Sequence, residues 1–87
     1  MYKSEPTPLF AKKIRKLLKK DNLRYERVRR KAIEICDDPH RYKPLGNVLS
    51  GVFRVHIDPY VLTFEVHEAR KVVRFIDFDH HDKIYKN

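Results

Sequence analysis

Apolar positions recur at helical spacing in the first half of the chain and at alternate residues in the second. Thr7-Pro8 reads as a helix N-cap followed by proline at the first helical position, where its missing N–H costs nothing. Leu9, Phe10, Ile14, Leu17 and Leu18 then fall on one face, with Lys12, Lys13, Arg15, Lys16, Lys19 and Lys20 around it. Asp21-Asn22 ends this helix and caps a second one. There Tyr25, Val28, Ala32, Ile35 and Cys36 share a face, until Asp37-Asp38-Pro39 stops it. Two basic amphipathic helices joined by a tight turn make a helical hairpin.

From Tyr42 the period changes. Lys43-Pro44-Leu45-Gly46-Asn47 reads as a turn-rich link. Phe53, Val55 and Ile57 alternate with Val52, Arg54 and His56, which predicts a strand with one apolar and one polar face. Asp58-Pro59 turns the chain, and Leu62, Phe64 and Val66 alternate with Thr63, Glu65 and His67. After a turn at Glu68–Lys71, a third strand covers roughly 72–79, less cleanly because Val72 and Val73 are both apolar. Met1 to Glu5 reads as either a short strand or a loose end. The sum is an α+β fold: an N-terminal helical hairpin packed as a second layer on an antiparallel β-meander, in a single domain spanning 1–87.

Charge adds a direction to this plan. The chain has 20 Lys and Arg against 12 Asp and Glu, and residues 1–44 carry the whole excess of +8. Such a balance favours a polyanionic partner, either nucleic acid or an acidic protein. The single cysteine, Cys36, allows no intrachain disulfide and fits a reducing compartment. No apolar run approaches the roughly 20 residues needed to span a bilayer, and no signal-like segment opens the chain, so no membrane role and a cytoplasmic location are expected.

The candidate chemistry lies on the polar face of the sheet and in the tail. Arg54 and His56 lie two apart and point the same way, Thr63 and Glu65 could join them, and one of His80 and His81 could turn inward onto that surface. With Tyr85 from the tail, the set offers a guanidinium, imidazoles, a carboxylate and a phenol. These suit phosphodiester cleavage in RNA, where a base takes the ribose 2′-hydroxyl proton, a cation stabilises the phosphate and an acid protonates the leaving oxygen. Because the nucleophile belongs to the substrate, no metal or other cofactor is needed. Plainer readings exist for each residue: Arg54 as a solvated face residue, His56 as a surface histidine, Glu65 as a cross-strand ion-pair partner and Tyr85 as a tail anchor.

Asp77, Asp79, His80, His81 and Asp82 are also possible metal ligands, but strand neighbours point to opposite faces, so few could converge on one ion. The Asp79-His80-His81 triplet resembles the motif of metal-dependent phosphoesterases, yet those enzymes need further acidic motifs and a much longer chain.

Three stretches together resemble the RelE/ParE superfamily of type II toxin–antitoxin toxins over nearly the whole length. Lys43-Pro44-Leu45, followed by Leu49-Ser50-Gly51-Val52-Phe53-Arg54-Val55-His56-Ile57, is similar to the family's "KPL…LxG…yRvRv" stretch, and its Leu-Ser-Gly portion to the YoeB branch. Asp58-Pro59-Tyr60-Val61-Leu62-Thr63-Phe64-Glu65-Val66 is similar to "gdYRvvyev", and Asp79–Lys86 to "ghRrevYr". The resemblance implies a RelE-like fold and, for many members, ribosome-dependent mRNA cleavage that inhibits translation. It also implies a small acidic antitoxin that wraps the toxin in a hetero-oligomer. By position Arg54 matches the first arginine of "yRvR" and is the phosphate-stabilising candidate, while His56 and His81 stand where arginines are usual and Val61 replaces another. His80, Tyr85 and Lys86 match the motif. The expected roles are general acid or base for His80 or His81, and phosphate positioning for Lys43, Lys83, Lys86, Lys12, Lys16, Arg27 and Arg30. Alternatives are a non-enzymatic ParE-like toxin that binds DNA gyrase and a basic nucleic-acid-binding module without catalysis.

Overall fold

A computed structural model describes residues 1–44 and 51–84. In chain order these form β1 (Lys3–Pro6), α1 (Pro8–Lys20), α2 (Asn22–Asp37), β2 (Lys43–Pro44), β3 (Val52–Ile57), β4 (Tyr60–His67), β5 (Val72–His80) and a one-turn helix α3 (His81–Ile84). The described strands make one sheet in the order β1-β5-β4-β3-β2, with the two long helices packed on one face.

The helix boundaries follow from their caps. The Thr7 hydroxyl accepts the Phe10 N–H at 3.1 Å and donates to the Ile76 carbonyl at 2.7 Å, which ties the start of α1 to β5. The Asp21 carboxylate accepts the Arg24 N–H at 3.0 Å and opens α2. Val28, Ile35 and Cys36 of α2 are buried, with Ala32 packed beside them. The apolar face of α1 is narrower than its spacing suggests: Phe10 is buried and Ile14 and Leu17 pack on the core, but Leu9 and Leu18 are exposed. A two-layer domain of this size has too little sheet to cover a wider stripe.

Residues 60–80 form the centre of the core. β3 and β4 pair antiparallel with Arg54 opposite Thr63 and His56 opposite Val61. β4 and β5 also pair antiparallel, with Val61 opposite Asp79 and Thr63 opposite Asp77. Phe64, on the central strand, is fully buried, stacks on Phe53 at 5.4 Å and meets Tyr42 and Phe75. The register shifts between Thr63 and Phe64, so that Ile76 is an extra residue on β5. That bulge lets Phe75 and Phe78 both face the helices although they are three apart. It also accounts for the untidy alternation of this strand.

Two features extend the simple meander. The first residues are a strand, parallel to β5 with Lys3 opposite Val72 and Pro6 opposite Phe75, so the sheet is mixed. Lys43-Pro44 is a two-residue edge strand on β3, and Leu45, Gly46 and Asn47 of the expected link lie outside the described residues. The turn at Glu68–Lys71 is a single 3-10 turn closed by Lys71 in the left-handed region, φ 53°.

Candidate functional site

Strand register assembles the site on the sheet face turned away from the helices. Phe53, Val55 and Ile57 point to the core, so Arg54 and His56 point outward. One row across the sheet runs Lys43 (β2), Arg54 (β3), Thr63 (β4) and Asp77 (β5). The next runs His56, Val61 and Asp79. The rows lie two residues, or ~6.6 Å, apart along the strands. Val61 is completely buried and Thr63 nearly so, which makes them the floor of this strip. The Thr63 hydroxyl is satisfied by donating to the Asp77 carbonyl at 3.3 Å.

The adjacent histidines separate at the end of β5. His80 pairs in register with Tyr60, and its ring lies 6.0 Å from that phenol, on the core side of the rim. Its Nδ1 accepts the Asp82 backbone N–H at 3.2 Å and lies 3.7 Å from the Asp82 carboxylate. His81 begins α3 and donates its backbone N–H to the Pro59 carbonyl at 2.9 Å. Its ring stacks on His56, centroids 5.9 Å apart and planes at 30°. His81, not His80, therefore joins the polar face, and Asp82 approaches its Nδ1 at 3.6 Å.

Glu65 is not brought to the imidazoles. It lies four residues along β4 from Val61, or ~13 Å, and pairs with His67 at 3.2 Å. Lys43 and Arg54 share a shallow groove with Arg41, a residue absent from the sequence-based candidates. Its place just before Lys43 was the available signal. Arg27 and Arg30 line a second groove with His56, at the junction of α2 and β3. Lys16 lies beside Lys13 and Tyr60 on the opposite flank, and Lys12 is exposed on α1. Lys83 is exposed on α3, while Tyr85 and Lys86 lie outside the described residues.

Charge on the β5 side is neutralised locally. The Lys13 ammonium reaches from α1 to Asp77 at 2.6 Å and Asp79 at 2.7 Å. Burial works against charging the Asp79 carboxyl, but Lys13 and the His80 backbone N–H outweigh it and hold it below the usual carboxylate range. Lys13 is likewise partly desolvated, yet its two carboxylates raise its pKa. Two of the three aspartates named as possible metal ligands, Asp77 and Asp79, are thus engaged by one lysine, and the remaining strip is dominated by cations and imidazoles. Cys36 is buried far from this face, and burial pushes its thiol up, away from reactivity.

Comparison with known proteins fits this geometry. A family model described as the ParE toxin of the type II toxin–antitoxin system parDE matches residues 5–85. A relative from Methanocaldococcus jannaschii that carries the name RelE4 toxin is 46% identical over 87 residues, covering 99% of this chain and 93% of its own. Among solved structures, the RelBE2 toxin–antitoxin complex of Mycobacterium tuberculosis superposes with a TM-score of 0.77 at 23% identity, over 92% of this chain and 98% of that one. The YoeB/ParE toxin of Agrobacterium tumefaciens gives 0.80 at 14% identity, over 91% and 98%. At these identities the two structures speak for the fold.

Proposed function

The chain belongs to the ParE toxin family of type II toxin–antitoxin systems, within the RelE/ParE superfamily, and from the geometry of its polar face we propose that it is a ribosome-dependent mRNA endoribonuclease. The observation that carries this reading is the stacking of His81 on His56 one register row from Arg54 and Lys43. Two imidazoles beside two cations are what 2′-hydroxyl attack requires.

In the proposed step one imidazole of the His56–His81 pair accepts the 2′-hydroxyl proton. The 2′-oxygen attacks phosphorus, the bond to the 5′-oxygen breaks, and that oxygen leaves with a proton from the other imidazole. The products are a 2′,3′-cyclic phosphate and a free 5′-hydroxyl. Arg54 and Lys43 stabilise the charge that grows on the phosphoryl oxygens. His80 has no part in the step. The ribosome would orient the mRNA, since among the described residues the strip is a shallow surface. A small acidic antitoxin would neutralise the basic excess and cover the strip; the solved RelBE2 relative is itself a complex with its antitoxin.

A second reading has one observation in its favour: the matching family model is that of ParE. Such a toxin would bind DNA gyrase and cleave nothing. Purified chain added to ribosomes translating a defined mRNA, and in parallel to a gyrase supercoiling assay, separates the two. Cuts in the mRNA that appear only on ribosomes, with gyrase unaffected, support the nuclease. Intact mRNA with inhibited gyrase refutes it.

A further inference from the structure

His56 stands on a ridge between two basic grooves. On one side Arg41, Lys43 and Arg54 line the groove between β2 and β3. On the other, Arg27, Arg30 and Lys31 of α2 line a groove that ends at His56 and Asp58. Arg27 and Arg30 are three apart and exposed, so they project together from one face of α2. The acidic side chains beside them are Glu34, which Lys31 approaches at 3.5 Å, Asp58, and Asp21 and Glu26, which pair with Arg24 and Arg29. Among the described residues neither Arg27 nor Arg30 has an ion-pair partner.

We propose that one single strand of nucleic acid crosses both grooves, and that Arg27 and Arg30 form a second phosphate site on the far side of His56 from Lys43 and Arg54. This rests on the reading of the Lys43–Arg54 strip as the RNA-facing surface, and it adds the direction in which the strand leaves it. A strand laid this way passes its sugar over His56 with a phosphate held on either side. The two flanking clamps fix the reacting ribose against the imidazoles, which is positioning and not chemistry. The shallow grooves on either side of His56 suit an unpaired strand, whose backbone can bend across the ridge.

The test uses a 12-nucleotide 2′-O-methyl RNA, which the chain cannot cleave because the nucleophile is blocked. Its affinity is read by fluorescence anisotropy across a salt series for three purified proteins: the wild type, Arg27→Ala/Arg30→Ala, and a control, Arg15→Ala/Lys19→Ala. The control removes the same charge from α1, away from both grooves. Two lost phosphate contacts should flatten the slope of log K against log salt by about 1.4 in the arginine variant. The control should keep the wild-type slope. An unchanged slope in the arginine variant, an equal loss in the control, or no wild-type binding at low salt overturns the proposal. Failure of the nuclease reading is a different result, namely intact mRNA on ribosomes with this binding pattern preserved.

Discussion

Lys13→Met tests how the helical layer is held to the strand that carries the histidines. Lys13 bridges Asp77 and Asp79 at 2.6 and 2.7 Å, and all three side chains are roughly a quarter exposed. Exposed ion pairs contribute about 0.2–1 kcal/mol and charged hydrogen bonds about 1.5–3 kcal/mol. Each aspartate keeps one backbone donor without Lys13, from Phe78 and His80 respectively. Methionine retains most of the apolar stem. A loss of about 2 kcal/mol is therefore expected, or roughly 10 °C in Tm for a domain of this size. The loss should also depend on pH. Asp79 titrates below its ordinary value in the folded state, so its share is present above about pH 4 and fades as pH falls through the folded pKa. The pKa of Lys13 is raised, so its share is present below about pH 10 and fades as pH rises past the folded value. Urea unfolding followed by far-UV circular dichroism at pH 2.5, 7 and 11 would read the difference between the two proteins. A loss below about 0.5 kcal/mol at pH 7, or one that fails to shrink toward acid, refutes the reasoning.

Phe64→Ala should cost about 3–5 kcal/mol, because the ring is fully buried among Phe53, Tyr42 and Phe75; thermal melts would show most of the stability gone. Thr7→Ala removes both the α1 cap and the bond to Ile76, and denaturant titration should show a loss of about 1–2 kcal/mol. Glu65→Gln should leave mRNA cleavage within about twofold of wild type, since Glu65 pairs with His67 at ~13 Å along the strand from the imidazole row. A tenfold fall would return Glu65 to the site.

Much of this arrangement is readable in the sequence where local chemistry dictates it. Thr7-Pro8 and Asp21 cap the helices where short-range rules put them, and Arg54 and His56 share a face because a strand has period two. What escaped depended on pairing across the chain. Lys3–Pro6 has no alternating pattern, and only the backbone of β5 makes it a strand. The extra residue at Ile76 cannot be inferred from a Phe-x-x-Phe spacing that suits a helix equally well. Adjacent histidines must face opposite ways on a strand, but which one meets His56 is set by the register of Tyr60 with His80. Periodicity alone puts Leu9 and Leu18 on the apolar face, whereas burial also needs a surface to pack against.

The separation of the two histidines carries the functional account, and single-turnover cleavage of ribosome-bound mRNA tests it most directly. His81→Ala should slow the cut by about 100-fold or more, the usual contribution of a positioned acid or base. His80→Ala should stay within a few-fold of wild type, with both variants shown to be folded by circular dichroism. Equal activity in His81→Ala and wild type, or a selective loss in His80→Ala, would contradict the assignment.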